Sequence, residues 1–454
     1  MSALISLHHK SKRRNIVQLK NEYPEEFGIF IMALKNLQNS DDWARICGIH
    51  GNTFKPNDPG VLCPTDPKVV QVISETGEPF YCKHSVYSFI GFHTPYVYQF
   101  ELLLNKYSKS KSNEYITLPY LDLTKFTDDL SFLDDPKIVI LFDSRKSIVS
   151  NPLASSYYYV NGVKTPTRRN GFFTPKTKQE LMQLNTVKKQ LNNALYASTY
   201  ERFSSSINLL TDYVPLETPH NSIHNIIGGV NGNMTDISIS AFDPVFWLHH
   251  CNMDRHFYTW VYNNTDHFRG SLYPRLITET VYESTQAPFF NKDVYSIDYD
   301  NYKYGWMNKE IKYMLMKDTL DFKLFPYTYD IIVPKPYTPT LSYVELENIP
   351  VPRESLVFMV YIHPKNRELN RDTDFAGSAV WFGINRNERH CFRCDTVKAN
   401  IKIDIDDFVN ENNIMSSNMN DYNVVLEGDG RLLNRLYNID ELVHDGEMRL
   451  VIEN

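Results

Sequence analysis

The residues best equipped for chemistry in this 454-residue chain are histidines at two clustered spacings. His220 and His224 form an HxxxH pair. On a helix, four residues advance about 400° and rise about 6 Å, so both imidazoles share a face and can reach one metal ion. A zinc protease carries Glu directly after the first His as general base. Asn221 stands there, which argues against that chemistry. Downstream, Phe246-Trp247-Leu248-His249-His250-Cys251-Asn252-Met253-Asp254-Arg255 places further imidazoles on another helix. Upstream lie His50, in Cys47-Gly48-Ile49-His50-Gly51, and His84 and His93, with Cys82 two residues before His84. A nine-residue step on one helix separates two side chains by about 180°, so His84 is assigned to the loop before the helix that bears His93. A lone His is more often a hydrogen-bonded core residue, and an HxxxH alone is weak. Two groups of three imidazoles, with neither a cysteine pair nor a carboxylate triad beside them, favour a metal that prefers nitrogen: copper first, then zinc.

Elements that must hold these residues follow from apolar spacing. Ile16, Leu19, Phe27, Phe30, Ile31, Leu34 and Leu37 recur at helical intervals, interrupted by Pro24 and Gly28, which predicts a short extended lead and then a helix. Further helices are expected over 89–107, 177–203, around His220–Ile227 and over 243–262, with long loops such as 143–175 between them. Pro334, Pro336, Pro339, Pro350 and Pro352 then favour extended backbone. Beyond them, β-type runs at 356–362, 378–384, 400–405, 423–426 and 448–452 alternate with Gly, Asn and Asp turns. The expected architecture is a mainly α metal domain over 1–325, a Pro-rich lead-in over 326–355, and a β-sandwich-like domain over 356–454.

Composition narrows the function classes. A net charge of −7 offers no general attraction for nucleic acid or an anionic membrane. Six cysteines in 454 residues exclude a disulfide scaffold. The 61 aromatic residues (30 Tyr, 26 Phe, 5 Trp) can fill a large core and by themselves say nothing of function. His8, His9 and Lys10 break the apolar run that a secretory signal needs. No window approaches about 18 apolar residues. A cytoplasmic protein with reduced thiols is expected.

The joint pattern resembles the tyrosinases, within the type 3 copper proteins that include catechol oxidases and molluscan haemocyanins. Tyr81-Cys82-Lys83-His84, then Gly91-Phe92-His93-Thr94-Pro95-Tyr96 with Glu101, is similar to the family's copper A signature. His220-Asn221-Ser222-Ile223-His224, then Phe242-Asp243-Pro244 through Arg255, is similar to the fungal copper B signature. The resemblance covers most of 12–310 and continues more faintly to the end. It departs at Leu121 and Leu123, where the family usually has Trp.

The resemblance implies a four-helix bundle around two copper ions. His50, His84 and His93 would hold copper A; His220, His224 and His250 would hold copper B, with His249 behind them. It implies a thioether between Cys82 and His84, a covering role for Phe246, and a water held by Glu217 and Asn221 that takes the phenol proton. Asp254-Arg255 is read as a structural ion pair. The implied activity is oxidation of monophenols and o-diphenols to o-quinones by dioxygen. The rivals are a catechol or o-aminophenol oxidase without hydroxylase activity and a haemocyanin-like oxygen carrier. The oligomeric state stays open, a homodimer included, as do the physiological phenol and a role in melanin formation.

Asp374-Phe375-Ala376-Gly377-Ser378 is similar to the β-domain that covers the site in pro-tyrosinases. By that analogy Phe382 is the plug, Cys391 and Cys394 load copper, and cleavage between Tyr304 and Pro352 converts a latent zymogen to active enzyme. Read alone, the C-x-x-C pair is ambiguous between half a zinc site, a redox pair and chance.

Overall fold

The computed structural model describes residues 11–50, 82, 84, 86–110, 115–125, 128–160, 163–205, 214–266, 271–272, 277–290, 313–321, 325–329, 342–350, 355–381, 398–430, 435–437 and 447–452. Pro24 does not separate an extended lead from a helix. It starts a second helix directly after a first, where its missing N–H costs nothing. Thus α1 (Ile16–Glu22), capped by the Asn15 side chain, leads into α2 (Pro24–Gln38). Asp41–Gly48 forms α3, a helix the sequence reading missed, and it ends two residues before His50. Then come α4 (Phe89–Tyr107), α5 (Lys178–Ala194), α6 (Glu217–Gly228) and α7 (Pro244–Asn263).

In the bundle, α4 packs on both α2 and α7, and α6 packs on α7. The stretch 143–175, expected to be a long loop, holds strand β3 (Arg145–Ser150), which pairs antiparallel with β2 (Lys137–Phe142) just before it. Alternation explains their position. Ile138 and Ile140 point into the core, while Val139 and Ile148 face out. The hairpin lies so close to α2 that a Cβ on Gly28 would sit 1.8 Å from the Leu141 carbonyl oxygen, so only glycine fits there.

One buried polar network ties this domain's two ends to its central helices. Arg13 follows strand β1 (Ser11–Lys12), which pairs in parallel with β4 (Tyr327–Thr328). Arg13 donates to Glu101 Oε2 of α4 at 2.7 Å and to Asp254 Oδ2 of α7 at 3.0 Å, and it is fully buried. Tyr327 and Tyr329 donate to the same Asp254 oxygen at 2.9 and 2.8 Å. Thr94, next to His93, donates to Asp254 Oδ1 at 2.7 Å. Asp254 and Arg255 therefore do not pair with each other, as adjacent helical residues diverge by about 100°. Arg255 instead reaches Asp122 at 2.9 Å.

The C-terminal part contains two sheets. One orders β8 (Lys398–Asp404), β5 (Ser342–Pro350) and β11 (Glu447–Ile452); the other orders β7 (Phe375–Trp381), β6 (Leu356–Pro364), β9 (Tyr422–Gly430) and β10 (Arg435–Tyr437). Val344, Leu346 and Ile403 of the first meet Phe358, Val360 and Ile362 of the second, forming a sandwich core. Tyr327 and Tyr329 lie in the helical domain's core, and Ser342–Pro350 is a strand of the sandwich. Of the lead-in expected over 326–355, residues 326–329 thus belong with the helical core and 342–350 with the sandwich, while 330–341 and 351–354 lie outside the described residues. Among the described residues, no helix is long and apolar enough to cross a membrane.

Candidate metal centre

Each imidazole is delivered by a helix or its end. His93 sits one turn into α4, His220 and His224 share one face of α6, and His249 and His250 lie in the second turn of α7. Asp243 caps α7 by accepting from Val245 N at 2.9 Å and is held by Arg169 Nε at 3.1 Å. Gly229, at φ +61°, ends α6 just beyond His224, a conformation that favours glycine. The helix leading to His50 is anchored from the side: Tyr96 of α4 donates to the Ile46 carbonyl of α3 at 2.6 Å.

Four of the rings have their tautomer set by a neighbouring oxygen that can only accept. His50 Nδ1 meets the Ile237 carbonyl at 3.0 Å, His93 Nδ1 meets Phe89 O at 2.7 Å, and His224 Nδ1 meets Met234 O at 2.8 Å. His220 Nδ1 meets Asn221 Oδ1 at 2.9 Å. Each Nδ1 must then carry the proton, leaving the Nε2 lone pair free for a metal.

Those lone pairs converge. His250 Nε2 lies 3.2 Å from His220 Nε2 and 3.2 Å from His224 Nε2. His250 Nδ1 has no partner, so in the metal-free chain its proton can sit on Nε2 and be donated to His220 or His224; with that proton lost, the three nitrogens can close on one cation. Nitrogens at that separation, each about 2.0 Å from one ion, would subtend about 106°, an ordinary coordination angle. His50 Nε2 is buried with no hydrogen-bond partner. The two groups also face each other. Ring centroids are 4.4 Å apart for His93 and His250, 5.5 Å for His84 and His220, and 6.0 Å for His50 and His250. The imidazoles therefore form two facing groups, His50, His84 and His93 with Cys82 on one side and His220, His224, His249 and His250 on the other, a donor set that fits a pair of copper ions.

Burial, the largest cause for every ring, holds these imidazoles neutral. It pushes His50 down to about 3 and the other five well below the ordinary histidine range, with neighbouring imidazoles adding to the effect. His249 is also lowered to about 3; its ring stacks on His220 at 5.0 Å while His250 makes the close Nε2 contacts.

The remaining expected residues divide into those brought to the cavity and those outside the described residues. Cys82 Sγ lies 3.2 Å from His84 Nδ1 and 3.4 Å from His93 Nε2. The Phe246 ring lies 4.0 Å from that of His250 and 4.7 Å from that of His50, fully buried. Glu217 is buried one turn before His220, and its Oε2 accepts from Ser205 Oγ at 2.6 Å. Leu121 and Leu123 are buried, so the departure from Trp leaves an apolar packing position apolar. Phe382, Cys391 and Cys394 lie outside the described residues. Sequence reasoning missed Ser205, the carbonyls of Met234 and Ile237, and Asn225, whose Oδ1 is buried without a partner. The carbonyls have no signature in residue type, whereas Asn225 directly follows a ligand-type His and could have been singled out.

Comparison with known proteins agrees with this geometry. Residues 40–263 match the family model described as the common central domain of tyrosinase. A tyrosinase of Neurospora crassa is 29% identical over 309 residues, covering 56% of this chain and 44% of its own length, so the chain spans about half that relative. The structure of a recombinant mushroom tyrosinase superposes with a TM-score of 0.66 at 18% identity, covering 98% of this chain and 97% of that one. Deoxygenated haemocyanin from Rapana thomasiana gives 0.65 at 18% identity, covering 98% and 100%, so the same fold serves an oxygen carrier's name as well as an oxidase's. Residues 40–263 thus form a central domain of the tyrosinase family, and the two facing groups of imidazoles fit that family's pair of copper ions.

Proposed function

We propose that this chain is a phenol oxidase that converts o-diphenols to o-quinones and hydroxylates monophenols, held latent by its C-terminal sandwich. The observation that carries the reading is the approach of His220 Nε2 and His224 Nε2 to His250 Nε2, 3.2 Å in each case, opposite His50, His84 and His93. In this reading those six residues hold the two ions. Bound copper would supply dioxygen binding and accept the phenol's electrons. The chain's own residues do the rest. Phe246, packed on the His250 and His50 rings, keeps water from the ligands. Asn221 fixes the His220 tautomer through its Oδ1. Glu217 supplies a buried carboxylate, oriented by Ser205, that receives the phenol proton through a water.

The latency reading rests on where the sandwich sits. Strand β7 packs on α6, the helix of His220 and His224. Between them lies a cavity of about 470 Å³, with Ser222, Asn225 and Ile226 on one wall and Val357, Ser378 and Val380 on the other. Phe382 follows β7 by one residue and remains the proposed plug. Cys391 and Cys394 remain a proposed copper-loading pair, tested by whether changing both to Ala slows loading without unfolding the chain. Cys82 and His84 are proposed to form a thioether, which would fix the ring covalently.

The test follows o-quinone formation and dioxygen uptake with a monophenol and with a catechol. Copper-loaded protein is assayed before and after cutting at a protease site engineered between Tyr329 and Ser342. Turnover of both substrates, rising on cutting, is expected. Catechol turnover alone would favour a catechol oxidase and remove the assigned role of Glu217. Reversible oxygen binding without turnover, even after cutting, would make the chain an oxygen carrier.

A further inference from the structure

The contact between the helical domain and the sandwich is built unevenly. Among the described residues, Met182 of α5 packs onto the outer face of the second sheet, against Val357, Met359, Tyr361 and Phe375. A polar-rimmed cavity of about 470 Å³ occupies the space beside it. At the edge, Lys189 of α5 places its Nζ 2.8 Å from Asp404 Oδ2 and 2.8 Å from Asp406 Oδ2. Asp404 ends strand β8, and Asp406 begins α8 (Asp406–Glu411).

Both carboxylates are pre-set by their own domain. Asp404 Oδ1 accepts from Asp406 N at 2.9 Å, and Asp406 Oδ1 accepts from Ser342 N at 2.6 Å. Each carboxylate thus spends one oxygen on sandwich backbone and presents the other to the same point in space. Two anions fixed this way repel each other, and the Lys189 ammonium that relieves the repulsion comes from the other domain. The three side chains are 21%, 11% and 12% exposed, so the cluster is shielded more than an ordinary surface pair. By contrast, Lys178 and Glu411, 3.3 Å apart, are 67% and 57% exposed and contribute little.

We propose that Lys189, held by Asp404 and Asp406, is the latch that keeps the sandwich seated on α6. Release of this one ammonium shifts the chain toward an open form without any bond being cut. The proposal rests on the latency reading for its effect on activity, whereas the latch itself has a structural readout. Salt favours the open form, in which the separated charges are exposed to solvent and screened over less than about 5 Å at 0.5 M.

The experiment compares the full chain with Lys189→Gln, which keeps a helix-favouring side chain, and with the Asp404→Asn/Asp406→Asn pair, which keeps both Oδ1 acceptors. Hydrogen exchange is measured on β7 and on α6, with the β2–β3 hairpin as internal control. O-quinone formation is followed on the same copper-loaded, uncut chains at low and high NaCl. Exchange at β7 and α6 is expected to speed up about tenfold in either variant, the hairpin staying unchanged. Uncut activity is expected to rise at least threefold and to lose its dependence on salt. After cutting at the site between Tyr329 and Ser342, variants and parent are expected to be equally active. If cutting activates the parent but neither variant changes exchange or uncut activity, the latch is wrong and latency stands. If cutting activates nothing, latency is wrong, and exchange alone decides the latch: unchanged exchange overturns it, faster exchange upholds it.

Discussion

Replacing Arg13 with Met tests whether the helices bearing His93 and His250 are held together from below by charge. The perturbation removes a fully buried guanidinium that bonds Glu101 at 2.7 Å and Asp254 at 3.0 Å and lies 3.4 Å above the Tyr327 ring. Breaking a buried pair by deleting one partner costs about 3–5 kcal/mol, since the other charge stays buried. Both carboxylates keep some partners: Glu101 retains Tyr115 OH at 2.9 Å and Leu118 N at 2.7 Å, and Asp254 retains Thr94, Tyr327 and Tyr329. That places the cost toward the lower end. With an unfolding entropy of about 2.1 cal/mol/K per residue over roughly 320 residues, 3–5 kcal/mol lowers Tm by about 4–7 °C.

The pH dependence supplies a second handle. Burial already raises the Asp254 carboxyl above its ordinary range even beside Arg13. Without Arg13 it rises further, so the folded variant binds a proton more readily than its unfolded chain. The variant's deficit should therefore shrink as pH falls below the raised value, by up to about 1.4 kcal/mol per pH unit for each affected group. The assay is thermal unfolding of copper-free parent and Arg13→Met at pH 7 and pH 5, at one scan rate. The triple variant Arg13→Met/Glu101→Gln/Asp254→Asn should recover part of the loss. A Tm for Arg13→Met within 1 °C of the parent at pH 7 would refute the reasoning.

Three further outcomes are expected. His250→Ala, which removes the nitrogen nearest to both His220 and His224, should reduce bound copper from two ions per chain to at most one by elemental analysis and abolish quinone formation. A peptide spanning Cys82 and His84, from protein loaded with copper under dioxygen, should be lighter by two hydrogens than its sequence requires; the unaltered mass would remove the thioether. Metal-free protein should lose stability in acid, because His50 and His249 are lowered to about 3 and His256 to about 4. Below about 6.5 the unfolded chain takes protons that the folded chain refuses, at up to about 1.4 kcal/mol per pH unit per ring, until pH reaches the folded values. Unchanged thermal midpoints between pH 7 and pH 5 would contradict this.

Much of this protein is readable in its sequence because the determining interactions are local. HxxxH fixes two imidazoles on one helical face through the 3.6-residue repeat alone, and the stretch 89–107 matches α4 residue for residue. The β-runs after 355 are likewise strands, as alternation and turn residues demand. The family motifs add the identities of the ligand-type histidines, which spacing alone leaves open among metals. What only the tertiary structure decides are the partners that lie far apart in sequence. His50 is anchored by the Ile237 carbonyl, an atom with no signature in residue type. Arg13 is bound to residues 101 and 254, so its role is invisible until the helical domain's two ends pair as β1 and β4. Asp254 and Arg255 look like a pair when written side by side, yet the helix turns them toward different neighbours. Lys189 reads as one more lysine on an amphipathic helix, and only the seating of the sandwich brings two carboxylates to it. Local periodicity determines which face a residue occupies, whereas which surface meets that face depends on packing across hundreds of residues.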